Sequence, residues 1–245
     1  MQALPDLEAT VDLFGSFDVP SFQRPTTSLC LDGEPGYPLQ GDRITSSEGL
    51  DHSVSGYREV IEEYLVPHST AKFARVSGNC YQVGPLARFK NAHGWLSPMA
   101  ERVAVALGLT PDTTNPYAAV LARLVEVVHC VEEAIHLIDT LLAAGLSAEV
   151  LHAPVGGGRG AAAIEAPRGM LFHSYVYDEQ GRIEGADCVI PTAQNLGNIE
   201  ADLAALVPTL TELSREEMTR RLEMLLRAYD PCVSCSTHLL RVAFV

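Results

Sequence analysis

The stretch from Pro116 to Ala144 carries a sustained helical period. Leu121, Leu124, Val125, Val128, Val131, Ile135, Ile138 and Leu142 recur at spacings of three and four. Arg123, Glu126, Glu133 and Asp139 occupy other positions, and Gly145 supplies the stop. At about 1.5 Å of rise per residue, such a helix crosses a whole domain. His129 and His136 on it lie too far apart to form an i, i+4 metal pair, so they read as hydrogen-bonded packing histidines.

Other segments sort by the same signals. Tyr57, Val60, Ile61, Tyr64 and Leu65 mark a helix over 55–65, ended by Pro67. Ser97 and Pro98 open another that runs to about Leu107, with Gly108 as its stop. Residues 1–45, rich in Pro, Gly, Ser and Asp, should drape over the rest, anchored by Phe14, Phe17, Phe22 and Tyr37. Gly156-Gly157-Gly158-Arg159-Gly160 lacks the Gly-Lys-Ser/Thr ending of a phosphate loop and reads as a flexible connection. Residues 170–177 and 182–190, flanking Asp178-Glu179-Gln180-Gly181, form the one strong hairpin signal. Asn198 to Leu206 and Ser214 to Ala228 read as helices, the second opened by Ser214 and Glu217 as a capping box. The expected class is mainly α with a small β-hairpin (α+β), in one unit covering 1–245.

Composition excludes some functions. A net charge of −14 argues against nucleic acid, which needs a basic face. No apolar run reaches the roughly 18–20 residues of a membrane span. The start, Met1 to Asp6, lacks the features of a secretory signal, which points to the cytoplasm. Cys30, Cys80, Cys130 and Cys188 have no metal-ligand spacing and read as small buried hydrophobes or loop residues.

The chemistry concentrates near the end of the chain, in Tyr229-Asp230-Pro231-Cys232-Val233-Ser234-Cys235-Ser236-Thr237-His238. Two thiols and a histidine at intervals of three can converge on one metal. Asp230 suits a helix N-cap and Pro231 a first helical position. That would put Cys232 and Cys235 in the first helical turns, where the dipole favours thiolate, the form that binds soft metals. A bare Cys-x-x-Cys also serves redox dithiols and zinc sites. Two further stretches flank the hairpin. Glu165-Ala166-Pro167-Arg168-Gly169 offers a guanidinium at a tight turn, and Pro191-Thr192-Ala193-Gln194-Asn195 offers a hydroxyl and backbone N–H groups. On residues alone, Arg168 could equally pair with Glu165 or a surface carboxylate.

The terminal segment resembles the Asp-Pro-Cys-x-x-Cys-x-x-His signature of nickel–iron hydrogenase large subunits. Both hairpin-flanking stretches, and 67–72 and 83–88, are also similar to segments of that family, closest to its soluble cytoplasmic, cofactor-coupled groups. The resemblance implies the C-terminal part of the hydrogenase large-subunit fold, which is shared with a subunit of respiratory complex I. It implies a Ni–Fe(CN)2(CO) centre, with Cys232 as a terminal nickel ligand, Cys235 bridging nickel and iron, and His238 binding magnesium or iron. Arg168 and Thr192 would donate to the cyanides, Pro167 and Pro191 would wall the pocket, and Asp230 would pair with Arg168 or hold the ligand loop. The implied reaction is reversible heterolytic H2 oxidation, with the proton taken by Cys232 or Arg168 and electrons leaving through a partner's iron–sulfur clusters.

The sequence departs from that pattern in two places. The family's Arg-x-Cys-Gly-x-Cys motif has no counterpart, and two thiols cannot supply the four that hold a nickel–iron pair. The expectation is therefore a partial large subunit, inactive by itself. It would need the N-terminal half and a small iron–sulfur subunit, with diaphorase-type subunits as further partners. Residues 239–245 follow the histidine like the extension that a maturation protease removes. Two alternatives stay open at this point. A complex I-like scaffold predicts loss of the cysteines, and a thiol or zinc protein leaves Arg168 and Thr192 without a role.

Overall fold

A computed structural model describes residues 3–33, 36–148, 156–232 and 243. In chain order its elements are α1 (Ala3–Gly15), β1 (Leu29–Leu31), β2 (Arg43–Ser46), β3 (Asp51–Ser53), α2 (Tyr57–Val60), β4 (Ile61–Leu65) and β5 (Lys72–Val76). There follow α3 (Pro85–Ala92), α4 (Pro98–Ala106), α5 (Ala119–Ala144), β6 (Gly158–Ala166), β7 (Gly169–Tyr177), β8 (Ile183–Val189), α6 (Pro191–Leu206) and α7 (Arg215–Tyr229). The strands form three small antiparallel sheets, β1-β2-β3, β4-β5 and β6-β7-β8. Helices therefore carry most of the regular structure, as the α+β expectation required.

Three apolar clusters hold these pieces together. Leu29, Ile44, Tyr57, Tyr81, Met170 and Phe172 join the sheets. Leu86, Phe89, Ala100, Ala122, Val125 and Val128 join α3, α4 and the first half of α5, with Val11 and Phe14 of α1 packed against them. Phe73, Leu196, Ile199, Leu222, Leu225 and Tyr229 bind α6 and α7 to β5. Burying a side chain of this size contributes roughly 1.5–3 kcal/mol, so each cluster fixes its elements firmly. The last cluster fixes where α7 ends, and hence where the Asp230–Cys232 segment starts.

The long helix is present as expected. A short 3-10 turn at Pro116–Ala118 leads into α5, and Gly145 ends it with φ 79. Its apolar stripe is buried through Val128, and His129 is buried too, accepting the Ser97 amide on Nδ1 at 3.1 Å. His136, in contrast, is exposed. The hairpin, α4 and α7 also fall where predicted, and Ser214 Oγ accepts the Glu217 amide at 3.2 Å.

Four expectations need correction. Residues 55–65 give only one helical turn before the chain extends at Ile61. Pairing with β5 sets Glu62 opposite Arg75 and Tyr64 opposite Phe73, and those cross-strand pairs override the helical pattern. The glycine-rich connection is largely strand: Gly158 to Ala166 pair in full register with β7, so the hairpin is two-thirds of a three-stranded sheet. The N-terminal stretch contains α1, whose Val11 and Phe14 pack on the helical cluster. Of the isolated cysteines, Cys30 is buried, but Cys130 and Cys188 are exposed.

Candidate metal centre

The end of α7 is fixed by its last residue. Tyr229 is fully inside, and its hydroxyl donates to Asp202 Oδ2 at 2.5 Å and accepts from Asn198 Nδ2 at 2.7 Å. Arg24 closes the same cluster from the N-terminal segment, pairing with both Asp202 and the Asn198 side chain. Burial and the neighbouring Asp202 hold the Tyr229 phenol well above its ordinary pKa, so it stays a neutral donor.

The chain then turns at Asp230, with φ 50 and ψ 53. An N-cap needs extended backbone, so the predicted helix start at Asp230 is not formed; Asp230 is the left-handed C-cap of α7, its amide returning to the Arg227 carbonyl at 3.1 Å. Pro231 and Cys232 follow without regular structure. The left-handed turn is tolerable because a short polar side chain can bond locally. Here both the Asp230 carbonyl and its carboxylate are engaged by one group.

That group is Arg168. It sits at the tip of the β6–β7 turn, where Ala166 pairs with Gly169. Its Nε donates to the Asp230 carbonyl at 2.5 Å and lies 3.1 Å from Oδ2, and Nη2 reaches Oδ1 at 3.3 Å. Gly169 has φ +132, and a Cβ there would lie 2.4 Å from Val83 Cγ2; a Cβ on Gly84, φ +104, would lie 2.9 Å from the Arg168 carbonyl oxygen. Only glycines allow these two backbones to touch. Asn195 grips the same Val83 by both ends of its amide, at 2.9 and 3.2 Å, and Gln194 donates to the Met170 carbonyl at 2.6 Å. The two hairpin-flanking stretches are thus joined as expected, through Val83-Gly84 between them.

Thr192 completes the grouping. The helix expected from Asn198 begins earlier: Pro191 is the first residue of α6 and Thr192 is buried in its first turn. The Thr192 hydroxyl accepts the Cys232 amide at 3.2 Å and keeps its own proton to donate elsewhere. Arg168, Thr192, Asp230 and Cys232 therefore meet at the N-terminal end of α6, where the helix dipole favours negative charge. Cys235 and His238 lie outside the described residues. Pro167 is exposed, and its carbonyl accepts from Arg88 Nη2 at 3.2 Å.

Arg88 was not assigned a role from sequence, yet it organises the approach to Arg168. Its guanidinium is buried and binds Glu126 with two bonds, 2.5 and 2.7 Å, and Glu165 at 2.7 Å, while also taking the carbonyls of Ala166 and Pro167. Tyr37 donates to Glu126 at 2.7 Å and the Leu31 amide to Glu165 at 2.9 Å. Burial opposes the charge on Arg88, but Glu126 and Glu165 outweigh it and hold the guanidinium protonated. Glu165 is thereby spent on Arg88, which leaves Arg168 to Asp230. Neither Arg88 nor Glu126 stands out in the sequence, since Arg88 is followed by Lys90 and Glu126 is preceded by Arg123.

A family model described as nickel-dependent hydrogenase matches residues 50–238, a stretch holding Arg168, Thr192 and the whole terminal motif. The chain belongs to the nickel-dependent hydrogenase family. It is 34% identical over 243 residues to sulfhydrogenase 1 subunit alpha of Pyrococcus furiosus, covering 98% of this chain and 56% of that protein. It is 31% identical over 205 residues to the NAD-reducing hydrogenase HoxS subunit beta of Cupriavidus necator, covering 78% of this chain and 40% of that protein. A solved NAD+-reducing [NiFe]-hydrogenase in the H2-reduced state superposes with a TM-score of 0.76 at 26% identity, over 97% of this chain and 58% of that one. The chain thus spans between 40% and 58% of the length of these relatives.

The donor chemistry fits a nickel–iron group in part. Cys232 supplies a thiol held by its own amide, beside a guanidinium and a buried hydroxyl able to donate to ligand atoms. Among the described residues no cluster of three or more His, Cys, Asp or Glu could hold a metal by itself. No described helix is long and apolar enough to cross a membrane.

Proposed function

We propose that this chain is the nickel-ligand-bearing part of a cytoplasmic [NiFe] hydrogenase large subunit. It would act in reversible H2 oxidation once joined to the rest of the large subunit and to a small iron–sulfur subunit. Diaphorase-type subunits would serve an NAD-coupled assembly, a type represented by the relative from Cupriavidus necator. The observation that carries this reading is the convergence of Arg168, Asp230, Thr192 and Cys232 from three separate elements. Cys232 and Cys235 would hold the nickel–iron group, and His238 would bind magnesium or iron. Two more thiolates must come from outside this chain.

When bound, the Ni–Fe(CN)2(CO) group supplies the two-electron redox chemistry and the Lewis acidity that polarise H2. The chain's own residues do the rest. Arg168 presents a guanidinium whose direction is set by the Asp230 carbonyl and carboxylate, so it carries a fixed positive field at no reorganisation cost. Cys232, if it serves as a thiolate ligand, offers a sulfur that can take up a proton. Thr192 ties the Cys232 backbone to the start of α6 and has a proton left for a buried anionic ligand, which would otherwise go unsatisfied. Pro191 sets the first turn that aims Thr192, and Pro167 forms the wall beside Arg168. Residues 239–245 would be removed after His238 by a maturation protease once metal is in place.

The test is infrared spectroscopy of the assembled complex together with H2-dependent dye reduction. Cyanide and carbon monoxide stretching bands with dye reduction support the proposal. A fully assembled complex without those bands overturns it.

A further inference from the structure

Tyr229 is held by a closed ring of four side chains, its own included. Arg24 Nε pairs with Asp202 Oδ1, and Arg24 Nη2 donates to Asn198 Oδ1. Asn198 Nδ2 donates to the Tyr229 hydroxyl at 2.7 Å, and that hydroxyl donates to Asp202 Oδ2 at 2.5 Å. Asn198, Asp202 and Tyr229 are all buried. Each member takes part in two of the four bonds, so turning any one of them opens the ring.

The ring has one sense. Asn198 Oδ1 also receives the Thr26 hydroxyl at 3.4 Å and the Cys80 thiol at 3.7 Å, and Arg24 is the charged donor among the three. These donors keep the amide oxygen toward the N-terminal segment and its nitrogen toward Tyr229. The Tyr229 oxygen is thereby an acceptor from Asn198, and its proton goes to Asp202.

The N-terminal segment does not need the guanidinium to hold it down. Val19 and Phe22 pack on the α6–α7 cluster, and the buried Pro20 takes Asn115 Nδ2 on its carbonyl at 2.8 Å. Beyond Arg24, the Thr27 carbonyl accepts the Gln82 amide at 2.9 Å. Arg24 therefore serves the ring, and the ring connects to the site through α6. Thr192 in the first turn of that helix accepts the Cys232 amide at 3.2 Å, while Asn198 and Asp202 further along it hold Tyr229. The Tyr229–Cys232 segment is thus tied to one helix at both ends, with Asp230 between them turned to Arg168.

We infer that Arg24 is a positioning residue for the candidate metal centre: by fixing Asn198 and Asp202 it sets the seat of Tyr229, and through Tyr229 the placement of Asp230 against Arg168 and of Cys232. Arg24 also pairs a buried carboxylate, which stabilises the fold whatever happens at the site. The inference rests on the reading of Cys232 as a metal ligand, and its test separates positioning from pairing.

The test compares the assembled wild-type complex with Arg24→Lys, Arg24→Met, and Arg24→Met combined with Asp202→Asn. Lysine keeps a charge for Asp202 but lacks the planar fork that serves Asn198 at the same time. The double variant removes the unpaired buried charge, so thermal stability should recover while the donor to Asn198 stays missing. Hydrogen exchange at the Asp230 and Cys232 amides should be about tenfold faster in Arg24→Met and in the double variant, and measurably faster in Arg24→Lys, with the β6–β7–β8 sheet unchanged. In the metallated complex, the cyanide stretching bands should shift or broaden in all three variants, because Arg168 and Thr192 then meet the ligands at altered angles. Wild-type exchange and bands in Arg24→Lys, or in an assembled Arg24→Met complex, overturn the proposal. So does a double variant that recovers exchange and bands together with stability, which would leave Arg24 as an ion-pair partner alone. Exchange needs no metal, so the expected acceleration in a complex whose wild type shows no cyanide bands would refute the metal reading alone.

Discussion

The Arg168 guanidinium and the Asp230 residue, 62 positions apart, meet through a backbone carbonyl and a carboxylate at once. A single contact would fix the distance between them; two fix the direction of the guanidinium. The left-handed backbone at Asp230 makes this possible by turning its carbonyl and side chain to the same neighbour.

Lysine at position 168 would keep the charge and lose the planar fork that serves both Asp230 groups. Arg168→Lys in the assembled complex should retain nickel while H2-dependent dye reduction falls by about 10²–10³-fold, the scale of removing one preorganised electrostatic donor. A rate near wild type in a fully metallated Arg168→Lys complex would assign Arg168 to structure alone.

Arg88 should matter to the fold more than its single position implies. Arg88→Met leaves Glu165 buried without its cation, and breaking a buried pair in this way costs about 3–5 kcal/mol. Chemical denaturation of the assembled complex should show that loss. The double variant Arg88→Met, Glu165→Gln should recover part of it, because the buried Glu165 charge is then gone and only Glu126 is left without its cation.

Tyr229→Phe removes the hydroxyl shared by Asp202 and Asn198, at a cost of about 1–3 kcal/mol for the polar groups left behind. The end of α7 should loosen with it. Hydrogen exchange should therefore speed up at the amides of Asp230 and Cys232 before it does so in the β6–β7–β8 sheet.

His129 gives the molecule an acid-sensitive point. Burial lowers its pKa below the ordinary value of 6.5, and the Ser97 amide needs Nδ1 unprotonated. The folded state thus binds fewer protons than the unfolded one just below pH 6.5. This contribution is complete above that pH and is lost progressively as pH falls toward the lowered folded value. Stability measured between pH 7.5 and 5.5 should decline for the wild type. His129→Asn, which keeps an acceptor near Nδ1 and cannot titrate, should decline less.

Local pattern explains what was legible in the sequence. α5, the β7–β8 hairpin and α7 announce themselves by period, turn residues and a cap, all within one segment. β4 and β6 do not, since their strand character comes from partners, β5 and β7, that the segment itself does not contain. The candidate site divides along the same line. Arg168, Thr192, Asp230 and Cys232 stand in short dense motifs. Arg88 with Glu126, and Arg24 with Asp202, lie 38 and 178 residues apart, and each residue looks ordinary until its partner is in place.

The central claim is that Cys232 and Cys235 hold nickel. Elemental analysis of the assembled complex decides it, comparing wild type with Cys232→Ser, Cys235→Ser and Cys188→Ser, the last an exposed thiol on β8 away from the motif. The account predicts about one nickel per complex for wild type and Cys188→Ser, and essentially none for either of the other two. Full nickel in an assembled Cys232→Ser or Cys235→Ser complex would contradict it.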